Sequence, residues 1–325
     1  MSSTKQGIGS LRAIHLNPVN LLVKYNTVLI FVLLIIISSI ISNSFLTFKN
    51  ISNLLRQNSG IAIVSMGMLL VILTGGIDLS VGSVVALGCV LAGYFLQTFP
   101  LAVALLFTML VCMLSGIGAG YFVAFRKVAP FVVTLAFMTI SRGIAFIISK
   151  GTPIRILNQS VIDFGRGTLL GLPCLAYIVL GVFIVFAIVL KFTVFGRLIT
   201  AIGSNESAVR LSGITVPAYK FSVYIISAVV CSFAGAISAS RAAVGSPIVG
   251  TGMELDAIAS VVIGGASLSG GKGSIHNTLL GVFILGMIGN IMNLMNVAAY
   301  PQQVIKGVII LVAVLLQGAE ENKEK

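Results

Sequence analysis

The sequence has no tryptophan, two histidines, four cysteines and eight acidic residues among 325, and only 9% of its residues are charged. So little charge excludes a soluble globular domain, in which about a quarter of residues are charged. His15 and His276 are far apart, and Cys89, Cys112, Cys174 and Cys231 lack the spacing of metal ligands. Neither a metal cluster nor a catalytic dyad can be drawn from them, so the chain is not read as an enzyme. The cysteines lie in or beside apolar runs and are read as small buried hydrophobes. Without tryptophan, an aromatic belt at a membrane interface must come from tyrosine, and Tyr25, Tyr121, Tyr177, Tyr219 and Tyr300 sit near the ends of apolar runs. The shortage of acids leaves a net charge of +12. Basic loops facing anionic lipid headgroups account for that charge, so a nucleic-acid partner is not needed.

What the sequence has is apolar length, with 58% of its residues hydrophobic. A hydrocarbon core of about 30 Å takes about 20 helical residues to cross. The uncharged stretches 25–48, 57–77, 167–190 and 221–240 each match one crossing. Residues 79–125 are twice as long and must fold back near Pro100. Residues 128–149 form a crossing that tolerates Arg142, and the chain from residue 257 supplies about three more, broken near Lys272 and Pro301. Lipid cannot satisfy open backbone groups, and the runs lack the alternation of barrel strands. The expected fold is therefore all-α: a polytopic membrane protein of about ten transmembrane helices, interrupted at two Gly-rich motifs. The segment 257–271 is short for a full crossing and is open to a re-entrant reading.

Lys5, Arg12 and Lys24, with no acid nearby, make residues 1–24 a cytoplasmic tail under the positive-inside bias. The transmembrane domain is then 25–319, with a short cytoplasmic tail at 320–325. The first apolar run is long enough to span and has no small-residue cleavage site after it, so it is an anchor and not a signal peptide. Two polar stretches interrupt the domain: 150–166 on the outside and 193–220 on the inside.

Two motifs resemble each other. "GGIDLSVGS", 75–83, and "GGASLSGGK", 264–272, agree at Gly75/Gly264, Gly76/Gly265, Leu79/Leu268, Ser80/Ser269 and Gly82/Gly271, whereas the flanks hardly agree at all. Paired glycines invite a helix break, and the freed backbone must face protein or water. One reading is local, with Asp78 or Ser80 capping the span that follows. The other is that interrupted spans line a polar route, with Gly75, Gly76, Asp78, Ser80, Gly264, Gly265, Ser267 and Ser269 along it. Glu254 and Asp256 precede the second motif, and Asp256 is a candidate cap for its helix. Asn290 and Asn293, one helical turn apart and followed by Asn296, are either glue between helices or further pathway residues. "GGKGS", 270–274, lacks the first glycine of a phosphate-binding loop and has Gly273 after Lys272, so no nucleotide is expected there. In the inner loop, Ser204 or Asn205 caps a short helix that carries Glu206 in its first turn and Ala208, Val209 and Leu211 on an apolar side. Gly213 ends that helix, and Pro217 keeps it from continuing. Such a helix suits either a soluble partner or the membrane surface.

Taken together, "NISNLLRQNSGIAIVSMGMLLVILTGGIDLSVGS", "GSNESAVRLSGI", "GTGMELDAIASVVIGGASLSGGKGS" and "YPQQVIKGVIILVAVLL" resemble the permease subunits of bacterial ribose-type ABC importers over most of the chain. The resemblance implies a permease dimer of like chains that binds no cofactor of its own. It also implies a cytoplasmic ATPase that carries ATP and Mg, and an extracytoplasmic sugar-binding protein. It makes the helix around Asn205, Glu206, Arg210, Ser212 and Gly213 the element that couples to the ATPase. The alternative is an ion-coupled secondary carrier that uses Asp78, Glu254 or Asp256.

Overall fold

The computed structural model describes residues 26–324, so the basic tail with Lys5, Arg12, His15, Lys24 and Tyr25 lies outside the described residues. In chain order the helices begin with α1 (Asn26–Ile41), α2 (Phe48–Leu73), α3 (Val81–Phe95), α4 (Leu101–Ala124) and α5 (Pro130–Ser149). The strand β1 (Ile154–Arg155), helix α6 (Gln159–Arg166) and strands β2 (Thr168–Leu169) and β3 (Leu172–Pro173) follow. Then come α7 (Cys174–Phe192), α8 (Val194–Ser204), α9 (Glu206–Leu211), α10 (Val216–Ala242) and β4 (Val244–Gly245). The chain closes with α11 (Met253–Ile263), α12 (Ile275–Leu294) and α13 (Ala299–Glu324). Both sheets are two-stranded and antiparallel, β1 with β4 and β2 with β3.

Among the described residues, six helices are long and apolar enough to cross a membrane: α2, α4, α5, α7, α10 and α12. The apolar parts of α1, α3 and α13 are shorter. The fold is therefore all-α and polytopic. The segment read as the eighth crossing is α11, an 11-residue helix that rises only about 16 Å and cannot cross alone. It stops at Ile263 instead of running to residue 271, because Gly265 turns left-handed at φ +80°. The second apolar segment also differs from the expectation. Its helix starts at Phe48, well before residue 57, with the Thr47 hydroxyl accepting the Asn50 N–H at 3.4 Å. Lys49 and Arg56 are thus helical residues and not a loop. The fold-back after α3 does end at Pro100, the residue that precedes α4.

Helix α10 is the central post. Small residues let its neighbours approach backbone to backbone, the arrangement that holds helices together where lipid supplies no hydrophobic contrast. A Cβ on Gly116 of α4 would lie 2.6 Å from the Tyr224 carbonyl, and one on Gly88 of α3 would lie 2.7 Å from the Ser232 carbonyl. Around this post Met66, Met68, Leu69, Leu70 and Tyr224 are fully buried. Large apolar side chains such as Leu33, Ile40, Leu114, Phe131, Ile147 and Val185 face outward, as lipid contact requires.

The chain from β4 to α11 is a short strand followed by turns, and it packs on α3. It crosses at Gly245, whose Cβ would lie 2.6 Å from the Cys89 carbonyl, and ends at Gly250, packed on the Gly82 carbonyl. Arg142 explains its own place in an apolar helix here. Its Nη1 donates to the Pro247 and Val249 carbonyls at 2.7 and 2.8 Å, which satisfies backbone that has no helix to bond with.

Candidate functional site

The two glycine motifs are built the same way and meet each other. Helix α2 ends with Gly75 at φ +76°, the Gly75 N–H on the Ile72 carbonyl (2.9 Å) and the Gly76 N–H on the Val71 carbonyl (3.1 Å). Helix α11 ends with Gly265 at φ +80°, the Gly265 N–H on the Val262 carbonyl (2.8 Å) and the Ala266 N–H on the Val261 carbonyl (3.1 Å). Both are Schellman caps, which need a left-handed residue just after the helix and so favour glycine. In this register Gly75 matches Gly265, one residue off the sequence alignment. The following turn restores that alignment: Asp78 Oδ1 accepts the Ser80 N–H at 2.9 Å, and Ser267 Oγ accepts the Ser269 N–H at 3.2 Å. The first motif therefore carries one extra residue between cap and turn.

Of the cap candidates read from the sequence, Asp78 alone accepts an N–H at the start of its helix, that of Ser80. Ser80 does precede α3, but its backbone is already helical (φ −77°, ψ −14°) and its side chain makes no capping bond. Its hydroxyl donates instead to Asp78 Oδ1 at 2.6 Å, and Ser227 of α10 donates to Asp78 Oδ2 at 3.2 Å. Asp78 is 3% exposed, enclosed by protein. The Tyr224 hydroxyl, buried without a hydrogen-bond partner, would lie 2.6 Å from a Cβ on Gly76, so that position is closed to any side chain. Asp256 is likewise not a cap: Gly252 at φ +78° precedes α11, and Asp256 lies in its first turn, 3.1 Å from Lys306 Nζ.

The junction of the motifs includes α8. The Gly271 N–H donates to the Leu73 carbonyl at 3.0 Å. A Cβ on Gly270 would lie 2.8 Å from Gly75 N and 2.9 Å from Gly203 Cα. A Cβ on Gly203 itself would collide with the Leu73 carbonyl and Gly271 N. On the other side of the motif, Gly264 packs on α12, where a Cβ would lie 2.7 Å from the Asn277 carbonyl. The ends of α2, α8 and α11 thus share one backbone-packed knot.

Directly after α8 comes α9, the helix the inner loop predicts. Asn205 Oδ1 caps it, accepting the Ala208 N–H at 2.9 Å; Ser212 Oγ donates to the Ala208 carbonyl at 3.0 Å; and Gly213 leaves it at φ +78°. Glu206 pairs with Arg210 four residues on and with Lys220 Nζ at 2.6 Å. The Lys220 hydrogen bond is the main reason its carboxyl sits below the ordinary carboxylate range; partial burial opposes the shift, and Arg210 adds to it. The apolar side divides: Val209 is buried with Ile202 and Val216, whereas Leu211 is 89% exposed.

Toward the other end of α2 lies a second polar region, with Asn50 about 35 Å and Gln57 about 24 Å along the axis from Leu73. Asn290 and Asn50 exchange two amide hydrogen bonds of 2.9 Å, and Gln302 donates to Asn293 Oδ1 at 2.8 Å. Asn290, Asn293 and Gln302, with Gln57, Asn58, Asp256, Ser260 and Lys306, line a cavity of about 270 Å³ between α2, α11, α12 and α13; Asn50 itself lies outside its lining. Helix α12 ends at Leu294, so Asn296 is off the face of the other two and takes φ +57° in the turn that follows. The structure thus splits the pathway candidates. Gly75, Gly76, Asp78, Ser80, Gly264, Gly265, Ser267 and Ser269 belong to the knot region, and Asn290 and Asn293 to the distant cavity. Lys306, the lone cation in "VIKGVIIL", was the available signal for that cavity.

A bundle with six membrane-length apolar helices among its described residues is that of a multi-pass membrane protein. Residues 50–314 match the family described as branched-chain amino acid transport system / permease component, and the chain belongs to that family. It is 43% identical to the ribose import permease protein RbsC of Bacillus subtilis over 87% of this chain and 89% of the relative. The corresponding Haemophilus influenzae protein is 41% identical over 90% and 93%. The L-arabinose ABC transporter permease protein AraH of Azospirillum brasilense is 34% identical over 92% and 88%. These relatives bear out the resemblance to ribose-type importer permeases, and with it a place in the inner membrane. No solved structure matches the chain.

Proposed function

We propose that this chain is the membrane-spanning subunit of an ATP-driven importer for a monosaccharide of the pentose kind, working as a pair of like chains. A cytoplasmic ATPase binds ATP and Mg and seats α9, and an extracytoplasmic binding protein delivers the sugar. In this scheme the chain crosses the membrane about ten times, with α11 crossing together with the non-helical segment before it. The N-terminus and the 193–220 loop are cytoplasmic, with the loop acting as the coupling element.

The observation that carries the reading is the knot. The residue before the α9 cap, Ser204, lies one position from Gly203, which touches the end of α2 and the second motif at once. A push on α9 would pass through α8 into α2, α11 and α12 without crossing a flexible side chain. Such a push alters access only if the two states bind ATPase or sugar with different free energies. The ion-coupled alternative draws no support from two of its three acids: Asp78 is enclosed by hydroxyl donors, and Asp256 is paired with Lys306; the third, Glu254, keeps Oε2 buried without a hydrogen-bond partner.

Leu211→Asp tests the reading. It puts a charge on a side chain that is already solvated, so the protein should stay in the membrane at its normal level. ATPase co-purification and sugar uptake should both fall by about tenfold or more, the effect of losing an interface anchor. Unchanged uptake would remove α9 as the coupling element.

A further inference from the structure

The cavity toward the far end of α2 holds more polar side chains than transport driven from α9 explains. Polar groups within apolar helices are costly and mark pathways or partners. Here they come from four helices and converge on one space of about 270 Å³. Their charges cancel, because the only ionised pair is Asp256 with Lys306 at 3.1 Å. The rest are amides and a hydroxyl, each offering both donors and acceptors. Asn290 commits one of its two N–H groups to Asn50, which leaves the other for a ligand. On α12 the wall is bare: Gly289 lines the cavity, and a Cβ there would meet nothing within 4 Å. The remaining walls are apolar, from Ile61, Met253, Val282 and Leu285, and a lining of neutral donors and acceptors beside apolar faces does not suit a bare anion or cation. It suits a neutral molecule with many hydroxyl groups.

We propose that this cavity is a sugar-holding site in the outer half of the pathway, where Asp256, Lys306, Asn290, Asn293 and Gln302 take up the hydroxyls of a monosaccharide. The proposal rests on the transport reading above and adds a location to it. The Asp256–Lys306 pair joins α11 to α13, so a sugar hydroxyl that donates to Asp256 or accepts from Lys306 loosens the tie between them. The glycine wall gives the ring a flat face to lie against.

The test uses this chain assembled with its ATPase and binding protein in lipid vesicles, with D-ribose and L-arabinose as probes. Gly289→Phe fills the cavity from a position with room for a side chain. It is expected to keep vesicle incorporation and ATPase co-purification while uptake falls by about tenfold, as blocking a ligand pocket does. Uptake at the wild-type rate would overturn the proposal. Gly289→Cys in a Cys174→Ser background supplies a second readout that holds even if the phenylalanine variant fails to assemble. Alkylation of that thiol should slow by about threefold or more when the carried sugar occupies the pocket, and no slowing by either sugar would overturn the proposal. If the unaltered assembly carries neither sugar, the transport reading fails. If it carries one and both variants behave as unblocked, only the location fails.

Discussion

The two ends of α2 are built on opposite principles. At Leu73 it is held by backbone: carbonyls and N–H groups of α8 and the second glycine motif touch it directly, with glycine wherever a Cβ would collide. At Asn50 it is held by side-chain amides, next to an open cavity. Contact between backbones transmits displacement and tolerates no change of volume, because packed interiors deform little. Amide contacts around a cavity exchange partners easily and tolerate bulk. One helix therefore joins a rigid junction to an adaptable cavity, as the proposed relay of a push from α9 to a solute requires.

The sharpest way to break this comparison is to add volume at each end. Gly203→Leu drives a side chain into the Leu73 carbonyl and the Gly271 backbone. It should cost about 3 kcal/mol or more, seen as loss of folded protein in detergent melting. Gly289→Leu adds the same side chain into open space, and its melting temperature should stay close to the parent's. Equal destabilisation by both would erase the distinction. A smaller effect is expected beside the knot, where Ser227→Ala removes one donor from the enclosed Asp78. About 1–2 kcal/mol should be lost there, read by the same melting curves.

The smallest effect concerns the coupling loop. The folded pKa of Glu206 lies below its unfolded value of about 4.3, with Lys220 as the main cause. Its stabilising contribution is therefore complete at neutral pH and fades as pH falls through the lowered folded value. Lys220→Met should move that loss toward the ordinary carboxylate range. The change in stability should be at most about 1 kcal/mol, since the pair is partly solvated, and melting curves between pH 7 and pH 4 would reveal it.

The same contrast explains what the sequence could reveal. Helix α9 was largely legible, because its cap, its first-turn Glu206 and its terminating Gly213 act over short range; the structure chooses Asn205 over Ser204 as the cap and leaves Leu211 outside the apolar side. The start of α2 was not, because Lys49 and Arg56 read as a loop, yet a helix can carry cations through its outer turns while Thr47 caps it. The kinship of the glycine motifs was legible, but their structural register was not, since Gly75 and Gly265 are equivalent caps only once the helix ends are known. The meeting of the motifs with Gly203, and the cavity built from α2, α11, α12 and α13, depend on contacts between distant segments that no local rule encodes.

The central claim is that work enters this protein from the cytoplasm through the loop between α7 and α10. The most direct measurement is labelling of Ser207→Cys, an exposed position on α9, in a Cys174→Ser background with a membrane-impermeant thiol reagent. The account predicts no labelling in intact cells and full labelling in inside-out vesicles, with ATPase binding protecting the site. Labelling from outside intact cells would contradict it.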